Sequence, residues 1–166
     1  MLIIEDGTGV PDAESYATAA ELVIYAGKFG AAIPADEAAQ EAVLRRAALV
    51  MDGMTWKGRK SSGEQALAWP RREIRLDGEN KPERYLPARI QYGQMALAAE
   101  IHADDIDPID NRKGAVTKEK VDGAVEREYA TISNTSKRLL PAAPDRPSAT
   151  QFADYLQRRG LFAVRA

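Results

Sequence analysis

Between Thr18 and Gly30 the chain is held as a helix from both ends. Thr18-Ala-Ala-Glu21 is a capping box, in which the Thr hydroxyl and the Glu carboxylate satisfy backbone amides that the first helical turn leaves free. Gly30 is a stop, because glycine readily takes the left-handed conformation that closes a helix. Leu22, Tyr25, Ala26 and Phe29 lie between them on one stripe. A single amphipathic helix must bury that stripe against other elements, and the rest of the chain offers mainly helices.

A second helix is predicted from about residue 35 to 52. Asp36 and Glu37 suit its positive N-terminal dipole. Val43, Ala47, Val50 and Met54 form its stripe, with Arg45 and Arg46 off it. A third helix begins near Pro87, a favoured first position, and carries Ile90, Leu97, Ala98 and Ile101. Ala96 and Ala99 permit close approach along it, and the run Asp104-Asp-Ile-Asp107-Pro-Ile-Asp110 closes it. Ser148-x-x-Gln151 is a second capping-box signature, opening a last helix with Phe152, Tyr155 and Leu156 that Gly160 ends. The tail Leu161-Phe-Ala-Val-Arg-Ala166 follows.

The remaining segments read as connections. Residues 1–5 are an apolar edge strand or docked arm, and residues 6–12 carry turn chemistry. Residues 53–78 are irregular, and residues 133–147 form a connector with three prolines. Residues 114–130 are a hairpin candidate around the turn pair Asp122-Gly123, with Val116, Val121, Val125 and Tyr129 as apolar positions. Alanine is abundant and there are only three Phe and two Trp, which favours close-packed helices over a bulky aromatic core. The expected fold is mainly α: one domain over residues 1–166, a bundle of about four helices with a β-hairpin and an extended C-terminal tail. Its helical core spans residues 15–103, its hairpin 114–130 and its last helix and tail 148–166.

Composition narrows the function. The formal net charge of -2 gives no long-range attraction to nucleic acid, so any such contact is a local patch. The chain has no cysteine, which excludes disulfides, thiolate zinc sites and cysteine nucleophiles. Residues 1–10 lack a basic signal-peptide region, and no apolar run nears the ~18 residues that span a bilayer. Expression and folding in the cytosol are expected. His102 is the sole histidine and has no second ligand of its kind, so a structural or surface role is expected for it. Asp104, Asp105, Asp107 and Asp110 lack the central Gly and terminal Glu of a calcium loop. Gly7-Thr-Gly9 lacks the Lys-Ser/Thr ending of a phosphate loop and reads as a tight turn. No catalytic, cofactor or metal site is expected.

Two segments carry interaction chemistry. Trp56, Lys57, Arg59, Lys60, Trp69, Arg71, Arg72 and Arg75 interleave cations with aromatic rings, the combination that binds single-stranded nucleic acid. The competing reading places the tryptophans in the core or between subunits, with the arginines ion-paired. The tail residues Leu161, Phe162, Val164 and Arg165 either pack on their own domain or dock on a partner.

Three stretches together resemble a known family. They are Ile4-Glu-Asp-Gly-Thr-Gly-Val-Pro-x-Ala-x-Ser-Tyr16, Met51-Asp-Gly-x-x-Trp56-x-Gly-Arg59 and Gln65-Ala-Leu-Ala-Trp-Pro-Arg71. In this order they resemble small tailed-phage proteins of the head–tail connector, or adaptor, class, often labelled DnaT-like single-stranded-DNA-binding proteins. Leu86-Pro87-x-Arg89 and Gly114-x-Val-x-x-Glu-Lys-Val121 extend the resemblance, which covers roughly residues 3–130. It implies a helical bundle without cofactor or catalysis, forming a ring, typically dodecameric, beneath the portal. It implies a place in the virion neck after assembly in the bacterial cytoplasm, and attachment of the next neck or tail-completion protein. On that reading Phe152, Tyr155, Leu156, Leu161, Phe162, Val164 and Arg165 dock on the portal. The Trp56–Arg75 segment and the hairpin then serve subunit contacts or face DNA in the channel. A replication accessory that binds single-stranded DNA is the alternative.

Overall fold

The computed structural model describes residues 1–106, 116–122, 124–129 and 146–157, and the molecule is mostly helical. Four helices are α1 (Ala19–Phe29), α2 (Glu37–Asp52), α3 (Ala88–Ile106) and α4 (Pro147–Phe152). Three two-stranded antiparallel sheets join β1 (Arg59–Lys60) to β2 (Arg71–Arg72), β3 (Arg75–Leu76) to β4 (Glu79–Asn80), and β5 (Val116–Asp122) to β6 (Ala124–Tyr129).

The caps of α1 form as the sequence predicts. The Thr18 hydroxyl accepts the Glu21 N–H, the Glu21 carboxylate accepts the Thr18 N–H at 2.7 Å, and Gly30 closes the helix in the left-handed region. Asp36 caps α2 by accepting the Ala39 N–H at 3.0 Å. The stripe of α2 is rotated from its expected phase. Gln40, Val43, Leu44, Ala47, Ala48 and Met51 are buried, whereas Val50 is exposed and Met54 is half-buried. Apolar side chains surround this helix, so the sequence pattern leaves its orientation open and packing decides it.

α3 is the central element. It packs on α2 along one side and on α4 along another. Its buried run from Gly93 to Ala99 includes four small residues, Gly93, Ala96, Ala98 and Ala99, which let its neighbours approach closely. Gln94 is fully buried among them and fully bonded. Its amide nitrogen donates to the Leu44 carbonyl at 3.0 Å and to Ser15 Oγ at 2.9 Å, and its amide oxygen accepts the Tyr16 N–H at 2.8 Å. One side chain thus ties the 13–17 loop and α2 to α3, as buried polar groups require.

α4 departs from expectation in both cap and length. Arg146 is its N-cap and Pro147 opens it, while Ser148 lies inside, its N–H and hydroxyl bonded to the Glu100 carboxylate. The helix ends at Phe152, and residues 153–155 form a turn. The expected stop at Gly160 and most of the 133–147 connector lie outside the described residues.

The hairpin register also differs from a two-residue turn. Val121 pairs with Val125 and Asp122 with Ala124. The N-terminal arm is docked: Ile4 bridges Ser15 in parallel, and the Glu5 N–H donates to the Ser15 carbonyl at 2.9 Å.

Candidate functional site

The Trp56–Arg75 segment wraps an aromatic plug. Trp56 and Trp69 are buried, 5.7 Å apart between centroids and edge-on. Phe152 meets Trp56 at 5.2 Å, and Tyr155 meets Trp69 at 5.6 Å. The Trp56 indole N–H donates to the Met51 carbonyl. Both rings lie in the core, as the competing sequence reading has it, and neither is exposed to stack on a base or to meet a neighbouring subunit. The same packing corrects the docking assignment at the other end of the chain. Phe152 and Tyr155 are core residues, and Leu156 is half-buried, bridged to Trp56 across an antiparallel contact. Leu161, Phe162, Val164 and Arg165 lie outside the described residues.

Gln65-Ala-Leu-Ala-Trp-Pro-Arg71 is consumed internally. The Gln65 side chain accepts the Ser62 N–H and donates to the Leu67 and Pro70 carbonyls. The Ala68 N–H reaches Asp52, and the Trp69 N–H reaches the Tyr16 hydroxyl at 3.0 Å. Burial raises the Tyr16 phenol well above its ordinary range. Burial likewise raises the Asp52 carboxyl, against the opposing pull of the Ala68 N–H. The Arg71 guanidinium spreads over three backbone carbonyls: Lys57 at 2.7 Å, Gly58 at 2.8 Å and Ala68 at 3.0 Å. Arg71 is therefore a clamp on its own loop.

The other cations of this segment face outward. The register sets Arg59 opposite Arg72 and Lys60 opposite Arg71. Arg59, Lys60, Arg72 and Arg75 are exposed. Arg59 pairs with Glu73, and Lys60 donates to the Ala66 carbonyl. Beside them lies a cleft of about 310 Å³ whose lining includes Lys57, Arg75, Lys81, Arg89, Asp77 and Asp154. Tyr85 and Tyr155 complete the wall. Four cations face two carboxylates in the lining, and Lys81 is also paired with Glu79 at 3.0 Å, which leaves only a small local positive excess. Lys57 donates to the Asp154 carbonyl, Arg89 to its carboxylate, and Arg75 to the Gly78 carbonyl. Burial, aided by the Tyr85 hydroxyl, pushes the Tyr155 phenol up to about 12.

Of the cleft residues, sequence reasoning selected Lys57 and Arg75 and assigned Tyr155 elsewhere; Lys81, Tyr85 and Arg89 were not singled out. Lys81 and Arg89 lie in the Asn80-Lys-Pro82 and Leu86-Pro87-x-Arg89 stretches, while nothing in the sequence singles out Tyr85.

A family model described as "Putative DnaT-like ssDNA binding protein" matches residues 1–165. The chain belongs to that family. No curated protein and no solved structure matches it. The match covers the arm, the helices and the cleft of this DnaT-like family member alike.

A second surface is apolar. Two adjoining hollows of about 230 and 340 Å³ share Tyr25 along the α1–α3 seam. Ile24, Phe29 and Tyr92 stand exposed at 56%, 61% and 40% along it. These large apolar side chains are clustered in one exposed patch and not scattered singly.

The remaining sequence candidates are accounted for locally. Glu5 is fully buried, and its carboxylate accepts the N–H groups of Gly7, Gly9 and Val10 at 2.8, 2.9 and 2.8 Å. The glycine turn therefore cradles an anion, and that anion is the chain's own. His102 is half-buried on α3. Asp104 and Asp105 pair with Arg146 and Arg46, and no group of acidic or histidine side chains among the described residues could hold a metal ion.

Proposed function

We propose that this chain is a structural head–tail adaptor of a tailed phage. Copies of it form a ring beneath the portal, complete the head and provide the attachment site for the next neck protein. The observation that carries this reading is the open α1–α3 groove, where Ile24, Phe29 and Tyr92 are left in water while both tryptophans are spent inside. A chain whose rings are sealed in its own core and whose apolar groove is open is suited to protein contact. The resemblance of residues 3–130 to connectors supports the choice of assembly. Mixing the full chain with portal rings and sedimenting them tests it. Co-sedimentation as a ring is the expected result; a chain that stays monomeric with and without portal overturns it.

A second reading, an accessory that binds single-stranded DNA, is favoured by the basic cleft and by the family's description. It predicts salt-dependent binding to a labelled oligonucleotide. With both tryptophans buried, that binding would run through phosphates, and Trp56→Phe would leave it unchanged. No binding at low salt removes this reading.

A further inference from the structure

β5 and β6 make a ribbon of two strands and nothing more. Among the described residues no third strand joins it and no helix packs along it. Each strand therefore keeps an outer edge whose N–H and C=O groups have no ladder partner among the described residues. Such edges accept further strands. A two-stranded hairpin by itself is also marginal in water, and added strands stabilise it.

The charges decide which edges can meet. Within the ribbon the register sets Lys118 opposite Glu128, Glu119 opposite Arg127 and Lys120 opposite Glu126. Opposite charges directly across a ladder stabilise it, and like charges destabilise it. In an antiparallel ladder, residues that bond inward alternate with residues whose backbone groups point outward. The ribbon's own register can therefore be repeated on its outside. With β6 of one copy laid against β5 of another, the same three opposite-sign pairs recur. Like edges do worse. Two β5 edges overlapped along their full length set Lys118 on Lys120 and Glu119 on Glu119. Two β6 edges centred on Arg127 set Arg127 on itself and Glu126 on Glu128.

We infer that the β6 edge of one copy pairs antiparallel with the β5 edge of the next, in the register the hairpin uses internally. Each copy offers one edge of each kind, so the contact is between unlike surfaces, as a head-to-tail ring requires. This rests on the self-assembly reading above and names one contact within it.

Cross-linking tests the register on the full chain. The chain has no cysteine, so a single introduced one has no partner within its own copy. Glu119→Cys and Arg127→Cys chains are prepared separately, mixed and oxidised mildly. Opposed residues of a ladder have Cα atoms ~4.5–5.5 Å apart, within reach of a disulfide, so the mixture should give at least about tenfold more covalent dimer than either variant alone. A second variant exchanges the charges of the two edges: Lys118→Glu, Lys120→Glu, Glu126→Lys and Glu128→Lys. It keeps opposite signs across its own hairpin and between its own copies, but meets the parent with like charges at either edge. Circular dichroism establishes that it folds. It should assemble with itself, and its contacts with the parent should be about tenfold weaker, so that differently labelled chains sort apart in sedimentation velocity. Assemblies that form without the mixed cross-link, or parent and exchanged chains that mix freely, overturn the inference. A parent chain that never associates overturns the adaptor reading itself, so the two failures are distinguishable.

Discussion

The Phe152 ring lies directly on the backbone of Gly93, at a point where a Cβ would overlap three of its ring carbons. In an open helix, Gly→Ala gains about 1 kcal/mol of helix propensity. Here the methyl would have to displace a fully buried ring wedged between α3 and Trp56. Overpacking of that kind costs about 1–3 kcal/mol, which outweighs the gain. Gly93→Ala should therefore lower stability in urea unfolding, and Phe152→Ala should lower it by about 3–5 kcal/mol. With the ring gone, Gly93→Ala should cost nothing or stabilise, so a double-mutant cycle should read strong coupling.

Glu5 supports a second prediction. Its carboxylate accepts three backbone N–H groups in a site closed to water. Gln offers one oxygen and brings an amide that faces donors with another donor. With charged hydrogen bonds worth about 1.5–3 kcal/mol each and an unsatisfied donor left behind, Glu5→Gln should cost at least about 2 kcal/mol in chemical denaturation. An unchanged midpoint would mean the carboxylate is not what orders residues 6–12.

Arg71 and Arg72 are adjacent and chemically alike, yet they should respond differently. Arg71 places its fork on three carbonyls, a geometry a single ammonium cannot copy. Arg71→Lys should lose about 1–3 kcal/mol, and Arg72→Lys should stay within about 0.5 kcal/mol. Thermal melts of the two single variants decide this; equal effects would dismiss the clamp.

Acid lability follows from two exposed pairs. Arg45 holds the Glu14 carboxyl below its ordinary 4.5, and Arg46 holds Asp105 below 3.8. Each folded-state value lies under the unfolded one. The associated stability is complete above the unfolded value and is lost as pH falls through the folded one. Asp52 has the opposite sign: burial raises its carboxyl, so its charge opposes folding at neutral pH and that opposition fades on acidification. Combining Glu14→Gln with Asp105→Asn should flatten the fall in stability below about pH 4.5. Asp52→Asn should steepen it. Urea midpoints across an acid series read both.

Both ends of α1 and the start of α2 were legible because their chemistry is local, whereas the Ser148–Gln151 signature misplaced the start of α4. Thr18 with Glu21, Gly30 and Asp36 act on residues within one turn. The phase of α2 was not, since Ala, Val, Leu and Met surround it and only the partners on α3 select a face. The Trp–Arg segment was opaque for a related reason. The Arg71 and Gln65 side chains and the Trp69 backbone N–H are bonded mostly to backbone groups or residues distant in sequence, such as Tyr16 and Lys57, and no periodicity encodes those. Phe152 and Tyr155 read as a docking helix because nothing in the sequence reveals that Gly93 opens a seat for them.

The α1–α3 groove yields the prediction that bears most on assembly. Phe29 and Ile24 are mostly in water, so Phe29→Ser with Ile24→Thr should leave unfolding within about 0.5 kcal/mol of the parent. In the assembly reading the same pair should abolish self-association, because the apolar area lost there lies at the contact. How the variant acts on parent chains separates two kinds of contact. In a two-fold contact the altered surface serves both partners, and the variant drops out of the population. In a head-to-tail contact it keeps one competent face, adds to a growing end and stops it there. Small amounts of variant mixed into parent chains should then shorten the assemblies out of proportion to its fraction, which sedimentation velocity reads directly. Parent assemblies that merely dilute in proportion would exclude the head-to-tail ring.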